Sequence, residues 1–304
     1  MISDSFGRPL TSMRISITQR CNLNCIYCHR EGVFGESSRE MTPQEISRIV
    51  RIASGLGVKK VKITGGEPLI RGDVCDIVEG IAGVEGISDV SMTTNGVFLQ
   101  EYAERLKEAG LNRVNISLDT LRPDVFSMIT RGGKLEKVIA GIDEAVRVGL
   151  DPIKLNMVVM KGINDDEIQE MIKTYSRNGV VLQLIELVDS DKEFFHKYYF
   201  DLDRIEEEIA DKARNVRVRK HMQGRKKYTL NGAQVEVIKP MHNTEFCAHC
   251  TRLRVTADGK FKPCLMRQDN LVDFLKEMRA GADDNRIREL FMKAVMRREP
   301  YFTR

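Results

Sequence analysis

Nowhere in the 304 residues does an apolar run approach the ~20 positions a membrane-spanning helix needs. The stretch Met1 to Arg8 also lacks an apolar signal-peptide core, so a cytoplasmic protein with no membrane association is expected. Charge of one sign is missing too: 48 Lys and Arg stand against 44 Asp and Glu, a formal +4. That balance argues against a nucleic-acid coat and leaves local basic sites for small anions. There is no low-complexity segment and no internal repeat beyond alternating strand and helix patterns. The length suits one large α/β domain, or one domain with a sizeable extension.

Cysteine is what stands out. Seven are present, three at Cys21, Cys25 and Cys28, three at Cys247, Cys250 and Cys264, with Cys75 left over. In a reducing compartment, tight groups of this kind are metal ligands more often than disulfides. Cys75 falls within a helical pattern and reads as a small core residue.

Between Met13 and about Leu187 the chain repeats a short apolar alternation followed by a helical pattern. The predicted strands are 14–18, 59–64, 89–94, 112–118, 153–159 and 180–187. Helices are expected at 43–56, after the cap Thr42, and at 136–148, stopped by Gly149. Such βα repetition implies parallel strands, in an open sheet or a barrel. Strands buried on both faces would be apolar throughout, yet Arg14, Lys62, Thr93, Asn115, Ser117 and Lys154 alternate with aliphatic neighbours. The polar faces should therefore line a shared interior holding a polar ligand, which favours a partial six-stranded (β/α)6 TIM-like barrel.

That interior would carry Arg14, Lys62 and Lys154, with Asp119 as its one acid. Unpaired buried cations are costly, so an anionic ligand is the simplest compensation; the alternative is that these side chains snorkel out at the strand ends. Beyond about Asp189 the pattern changes. An acidic helix near 201–211 precedes two strands, 225–230 and 233–238, joined by Asn231-Gly232. The expected division is 1–190 for the first part and 191–304 for a smaller α+β module, with the boundary inside 188–200.

The first triplet follows the first strand directly, where parallel α/β folds place their active sites. Three thiolates suit a 4Fe-4S cubane with one open iron, whereas a structural zinc would recruit a fourth ligand such as His29. The second triplet leaves the same choice, with His242 or His249 available to a zinc. Arg252 and Arg254 beside it also fit a solvated edge strand of alternating charge.

The CxxxCxxC loop, together with Thr64-Gly65-Gly66-Glu67-Pro68-Leu69 after the second strand, resembles the radical S-adenosylmethionine (SAM) superfamily. The resemblance implies that Cys21, Cys25 and Cys28 hold a 4Fe-4S cluster whose open iron is chelated by SAM. One electron then cleaves the sulfonium and yields a 5′-deoxyadenosyl radical. The stretch Phe246 to Leu265, FCAHCTRLRVTADGKFKPCL, narrows the likeness to the GTP 3′,8-cyclase family that begins molybdenum cofactor biosynthesis. The likeness runs from about Met13 to Leu265.

Membership would imply a lyase that converts GTP to (8S)-3′,8-cyclo-7,8-dihydroguanosine 5′-triphosphate, with a second 4Fe-4S cluster on Cys247, Cys250 and Cys264 contacting the guanine. By the same implication Tyr27, Gly66, Glu67, Ser117 and Val188 bind SAM, while Arg14, Lys62, Thr93, Lys154, Arg252, Leu253 and Arg254 bind GTP. Implied partners are a reductant protein such as ferredoxin or flavodoxin, a downstream cyclic pyranopterin monophosphate synthase, and a second copy of the chain in a homodimer. Three positions depart from the family pattern: Lys62 and Gln183 each stand where Arg is usual, and Val188 where Met is. Arg298 to Arg304 lack the family's terminal Gly-Gly. The rival within the superfamily is an auxiliary-cluster enzyme such as a peptide maturase, whose substrate would not require an interior of cations. A scaffold using both triplets as structural staples is the non-enzymatic rival.

Overall fold

The computed structural model describes residues 2–33, 39–175, 179–219 and 222–303. In chain order its first part comprises β1 (Ser12–Ser16), α1 (Pro43–Gly55), β2 (Lys60–Thr64), α2 (Val74–Ala82), β3 (Asp89–Thr94) and α3 (Leu99–Glu108). Then come β4 (Arg113–Ser117), α4 (Pro123–Thr130), α5 (Leu135–Arg147), β5 (Lys154–Val159), α6 (Ile168–Thr174) and β6 (Val181–Glu186). All six predicted strands are present. The first begins and ends two residues early, because beyond Ser16 the chain turns into the cysteine loop and the Thr18 carbonyl is taken by the Gly66 amide.

Local chemistry accounts for the helix ends. Thr42 and Glu45 form a reciprocal capping box around Pro43, satisfying amide donors at the start of α1. Beyond the last turn of α5, Gly149 adopts φ +73°, a left-handed conformation that ends the helix cheaply. The aliphatic strand positions, among them Met13, Ile15, Val61, Ile63, Met92, Ile116 and Leu155, are buried in one core shared with the helices. Cys75 packs at the edge of that core on α2, as expected.

The remaining elements are α7 (Lys192–Tyr198), α8 (Asp203–Lys212), β7 (Asn215–Arg219), β8 (Arg225–Thr229), β9 (Gln234–Ile238), α9 (Thr244–Ala248), β10 (Arg252–Val255), β11 (Lys260–Lys262), β12 (Val272–Asp273), α10 (Leu275–Arg279) and α11 (Asp284–Met296). They do not form a separate layer. One open sheet runs β12-β11-β10-β1-β2-β3-β4-β5-β6-β9-β8-β7. β9 pairs in parallel with β6, and β10 pairs in parallel with β1, so the second half of the chain extends the sheet at both sides. No helix is long and apolar enough to cross a membrane among the described residues.

The edge-strand alternative for Arg252 and Arg254 is thereby excluded. β10 lies between β1 and β11, buries Leu253 and Val255 in the core, and turns its two arginines to the interior face.

Candidate functional site

The polar face of the parallel strands encloses a cavity of about 680 Å³. Lining it are Cys21, Cys25, Cys28, Tyr27, Gly66, Ser117 and Val188, together with Cys247, Cys250 and Cys264. Arg14, Lys62, Thr93, Lys154, Arg252 and Arg254 line the same space. Two expected site residues do not line it: Leu253 sits in the apolar core behind β10, and Glu67 is buried behind the loop after β2.

The glycine pair after β2 works by close approach. A Cβ on Gly66 would lie 2.1 Å from the Arg20 carbonyl oxygen, and one on Gly65 would lie 2.6 Å from that of Thr18. The Gly66 and Glu67 amides donate to the Thr18 and Arg20 carbonyls, each at 2.8 Å. The backbone just before Cys21 is thus clamped to the turn after β2. The Glu67 carboxylate accepts from the Leu69 amide at 3.0 Å, Thr94 Oγ1 at 2.7 Å and the Asn95 amide at 2.6 Å. Burial nevertheless pushes its pKa up to about 7. Asn95 Nδ2 in turn donates to Asn22 Oδ1 at 2.9 Å, within the cysteine loop.

Tyr27 donates its hydroxyl to Asp119 Oδ2 at 2.6 Å, and Asp119 Oδ1 accepts from the Val158 amide at 2.9 Å. Asp119 is therefore not the acid among the interior cations. It lies one position past Leu118 beyond the end of β4, where it ties the cysteine loop to β5.

Two glutamates that sequence reasoning missed fill that place. Glu31 receives Arg14 and Thr64 on one oxygen and Arg254 on the other, the last at 2.8 Å. Burial pushes its pKa up, but the charges of Arg14 and Arg254 outweigh burial and hold it down to about 2. Glu236, fully buried on β9, receives Lys154 at 2.7 Å, Arg219 at 2.8 Å and the amide of Gln183. The alternation Val235, Glu236, Val237 carried a signal for its inward orientation; Glu31, on an irregular segment with φ +53°, carried none. Lys62 has no acid. It donates to Asn115 Oδ1 at 2.5 Å, and burial with the charges of Arg113, Arg14, Arg252 and Lys154 pushes its pKa well down. The snorkelling alternative fails for Lys154, which is buried and paired within the interior.

The second triplet is held by arginines. Arg8 Nη1 donates to the Cys247 carbonyl at 3.0 Å, and Arg298, only 1% exposed, donates to the carbonyls of Cys250 and Arg8 beside Asp4. Although burial raises the Cys250 pKa, the charges of Arg252, Arg298 and Arg8 win and lower it.

Each triplet supplies three thiolates and no fourth cysteine, a ligand set that suits a 4Fe-4S cubane with one open iron. His29 is surrounded by Glu31, Arg254 and Arg14, His249 leans on Glu245, and His242 packs on the Phe302 ring at 5.1 Å. All seven cysteines are free thiols.

Comparison with known proteins agrees with this geometry. Residues 15–175 match the family described as the radical SAM superfamily, and residues 180–304 match Molybdenum Cofactor Synthesis C. A probable GTP 3′,8-cyclase of Methanothermobacter marburgensis is 51% identical over 304 residues, covering 99% of each chain. That of Thermococcus kodakarensis is 51% identical over 310 residues, covering 99% of this chain and all of its own. Among solved structures, Streptococcus suis SuiB bound to its precursor peptide SuiA aligns with a TM-score of 0.65 at 20% identity, over 85% of this chain and 60% of SuiB. Native anSMEcpe with bound AdoMet aligns at 0.60 and 15% identity, over 94% and 80%. At such identities the structural likeness speaks for the fold alone, whereas the full-length relatives decide the family. The chain belongs to the radical SAM superfamily and, within it, to the GTP 3′,8-cyclase family.

Proposed function

We propose that the chain performs the first step of molybdenum cofactor biosynthesis, converting GTP to (8S)-3′,8-cyclo-7,8-dihydroguanosine 5′-triphosphate. The observation that carries this reading is that both cysteine triplets open on one cavity whose wall holds more cations than carboxylates. When bound, a 4Fe-4S cluster on Cys21, Cys25 and Cys28 supplies, with SAM, the hydrogen-abstracting radical chemistry. A second 4Fe-4S cluster belongs on Cys247, Cys250 and Cys264.

In this reading Tyr27, Gly66, Ser117 and Val188 form the SAM end of the cavity. Glu67 acts from behind, fixing Thr94 and Asn95 against the cysteine loop. Val188 belongs to an apolar group with Leu187, Phe195 and Met241 that would exclude water from the reacting centre. Arg14, Lys62, Lys154, Arg252 and Arg254, with Thr93, hold the triphosphate, as guanidinium and ammonium groups do for phosphate oxygens. Leu253 serves by anchoring the two arginines that flank it.

The strands of residues 1–190 would act as a partial (β/α)6 barrel, with 191–304 as the auxiliary-cluster and substrate module. The setting is the cytoplasm, with a ferredoxin- or flavodoxin-type reductant and a cyclic pyranopterin monophosphate synthase to take the product. The test is anaerobic incubation of the reconstituted protein with GTP, SAM and dithionite. Formation of 5′-deoxyadenosine together with a cyclised nucleotide is expected; 5′-deoxyadenosine without GTP consumption would keep the superfamily chemistry and reject this substrate.

A further inference from the structure

Arg14, Lys62, Lys154, Arg219, Arg225, Arg252 and Arg254 are among the cations that line the interior. Glu31 pairs with Arg14 and Arg254, and Glu236 with Lys154 and Arg219. Among the described residues, Lys62, Arg225 and Arg252 have no carboxylate within ion-pair distance. Lys62 and Arg252 already belong to the proposed nucleotide site. Arg225 does not.

Arg225 opens β8, opposite Arg219 in the β7–β8 register. Its Nη2 donates to Gln223 Oε1 at 2.5 Å, and its guanidinium carbon lies 5.6 Å from the centre of the Phe246 ring. Its Nε is buried in the cavity wall with no hydrogen-bond partner among the described residues. An unmet buried donor on a permanent cation is costly unless a ligand supplies the acceptor. Burial lowers its pKa to about 10 against the opposing pull of Glu236, while Arg219 and Arg14 push the same way as burial.

On the neighbouring strands the polar chain runs through Gln183. Gln183 offers no charge: its amide oxygen accepts from Asn115 at 2.9 Å and its amide nitrogen donates to Glu236. β9 joins β6 to β8, with Glu236 in register with both Gln183 and Lys227. The strand pair β7–β8 therefore delivers a guanidinium to the same wall from two strands away.

We infer that Arg225 is an additional phosphate-binding residue of the nucleotide site, presenting its free Nε–H to a phosphate oxygen. Its ring contact with Phe246 and its bond to Gln223 hold the planar fork in place before the ligand arrives, which limits the ordering cost of binding. This inference rests on the proposed GTP reading.

The test measures dissociation constants of the anaerobically reconstituted full chain for GTP, GMP and guanosine, in the wild type and in Arg225→Ala, Arg225→Gln and Arg225→Lys. Arg225→Ala and Arg225→Gln should weaken GTP roughly ten- to hundredfold, as loss of a hydrogen-bonded charge does. Guanosine binding should change little, and Arg225→Lys should recover part of the loss. In turnover, KM for GTP should rise more than kcat falls. Arg225→Gln keeps the aliphatic stem and an amide near the position of Nε while removing the charge, so it decides the matter should the alanine variant fold poorly. GTP affinity within twofold of wild type in Arg225→Gln, or equal losses for GTP and guanosine, would overturn the assignment. Failure of the wild type to bind GTP at all would instead overturn the functional reading beneath it.

Discussion

The two cysteine triplets have the same ligand type and open on the same cavity, yet they are built in opposite electrostatic surroundings. Around the first, carboxylates dominate: burial and the charge of Asp119 push Cys25 up, and burial, with the charge of Glu67 among the smaller influences, raises Cys21. Its loop is held by backbone contact with Gly65-Gly66 and by the Tyr27–Asp119 hydrogen bond. Around the second, guanidinium groups dominate, and Arg8 and Arg298 hold the carbonyls of Cys247 and Cys250 directly. The positive surroundings adjoin the cation wall proposed for the triphosphate. The contrast teaches that the two ends of one cavity differ electrostatically, which suits the proposed placement of a cationic sulfonium cofactor at one and a polyanion at the other.

The contrast can be broken first at the glycine clamp. In Gly66→Ala the new Cβ meets backbone, not a yielding side chain, so the cysteine loop must move. Iron should fall from about eight to about four atoms per chain, the content of one 4Fe-4S cluster, and SAM cleavage should be lost. Full iron content with normal 5′-deoxyadenosine formation would show that the clamp is dispensable. At the other triplet, Arg298→Met removes a buried cation shared by two carbonyls and Asp4. Unfolding measurements should register a loss of about 3–5 kcal/mol, the usual cost of breaking a buried ionic group. The iron lost should be that of the second cluster, with SAM cleavage in the absence of GTP retained.

Glu236→Gln strands Lys154 and Arg219 in the interior and should cost about 3 kcal/mol at neutral pH. The pH dependence follows from the direction of the shift. The Glu236 carboxyl is held at about 2 in the fold against an ordinary 4.5, so its contribution is complete above 4.5 and is lost as pH falls towards 2. The variant should lack that acid limb in a plot of melting temperature against pH; an unchanged limb would assign it elsewhere. Lys154 acts in the other direction. Burial lowers it to about 8 from 10.5, so its charge costs stability below pH 8 and that cost fades as pH rises towards 10.5.

The smallest effect expected is at the wall cations. Lys62→Ala and Lys154→Ala should each weaken GTP binding by roughly tenfold, near 1.4 kcal/mol. Both should leave SAM cleavage without GTP near normal. Unchanged GTP binding in both would return the peptide-maturase alternative to the front.

Much of the fold was legible because its signals are short-range. A period of two with one aliphatic face marks β1 to β5, and Thr42 with Glu45 marks the start of α1, since neither depends on distant contacts. β10 was legible as a cysteine-flanked motif but not as the neighbour of β1, because pairing partners about 240 positions apart leave no trace in local periodicity. Glu31 was hidden for a related reason. Arg30, Glu31 and Gly32 all adopt positive φ, so the segment has no period from which a direction is read. Asp119 misled because it directly follows Leu118 in the inward alternation, yet the chain has left β4 by then and the side chain turns to Tyr27.

The sequence by itself determined the spacing of both cysteine sets, the glycine pair that admits close backbone approach, and the alternation that makes one sheet face polar. Each is a property of a few consecutive residues and survives any arrangement of the rest. Tertiary structure alone decided which acid meets which cation, that both halves of the chain complete one sheet, and that Arg225 reaches the cavity wall. Those outcomes depend on contacts between residues far apart in the chain, where burial and Coulomb energy, not local conformational preference, select the partner.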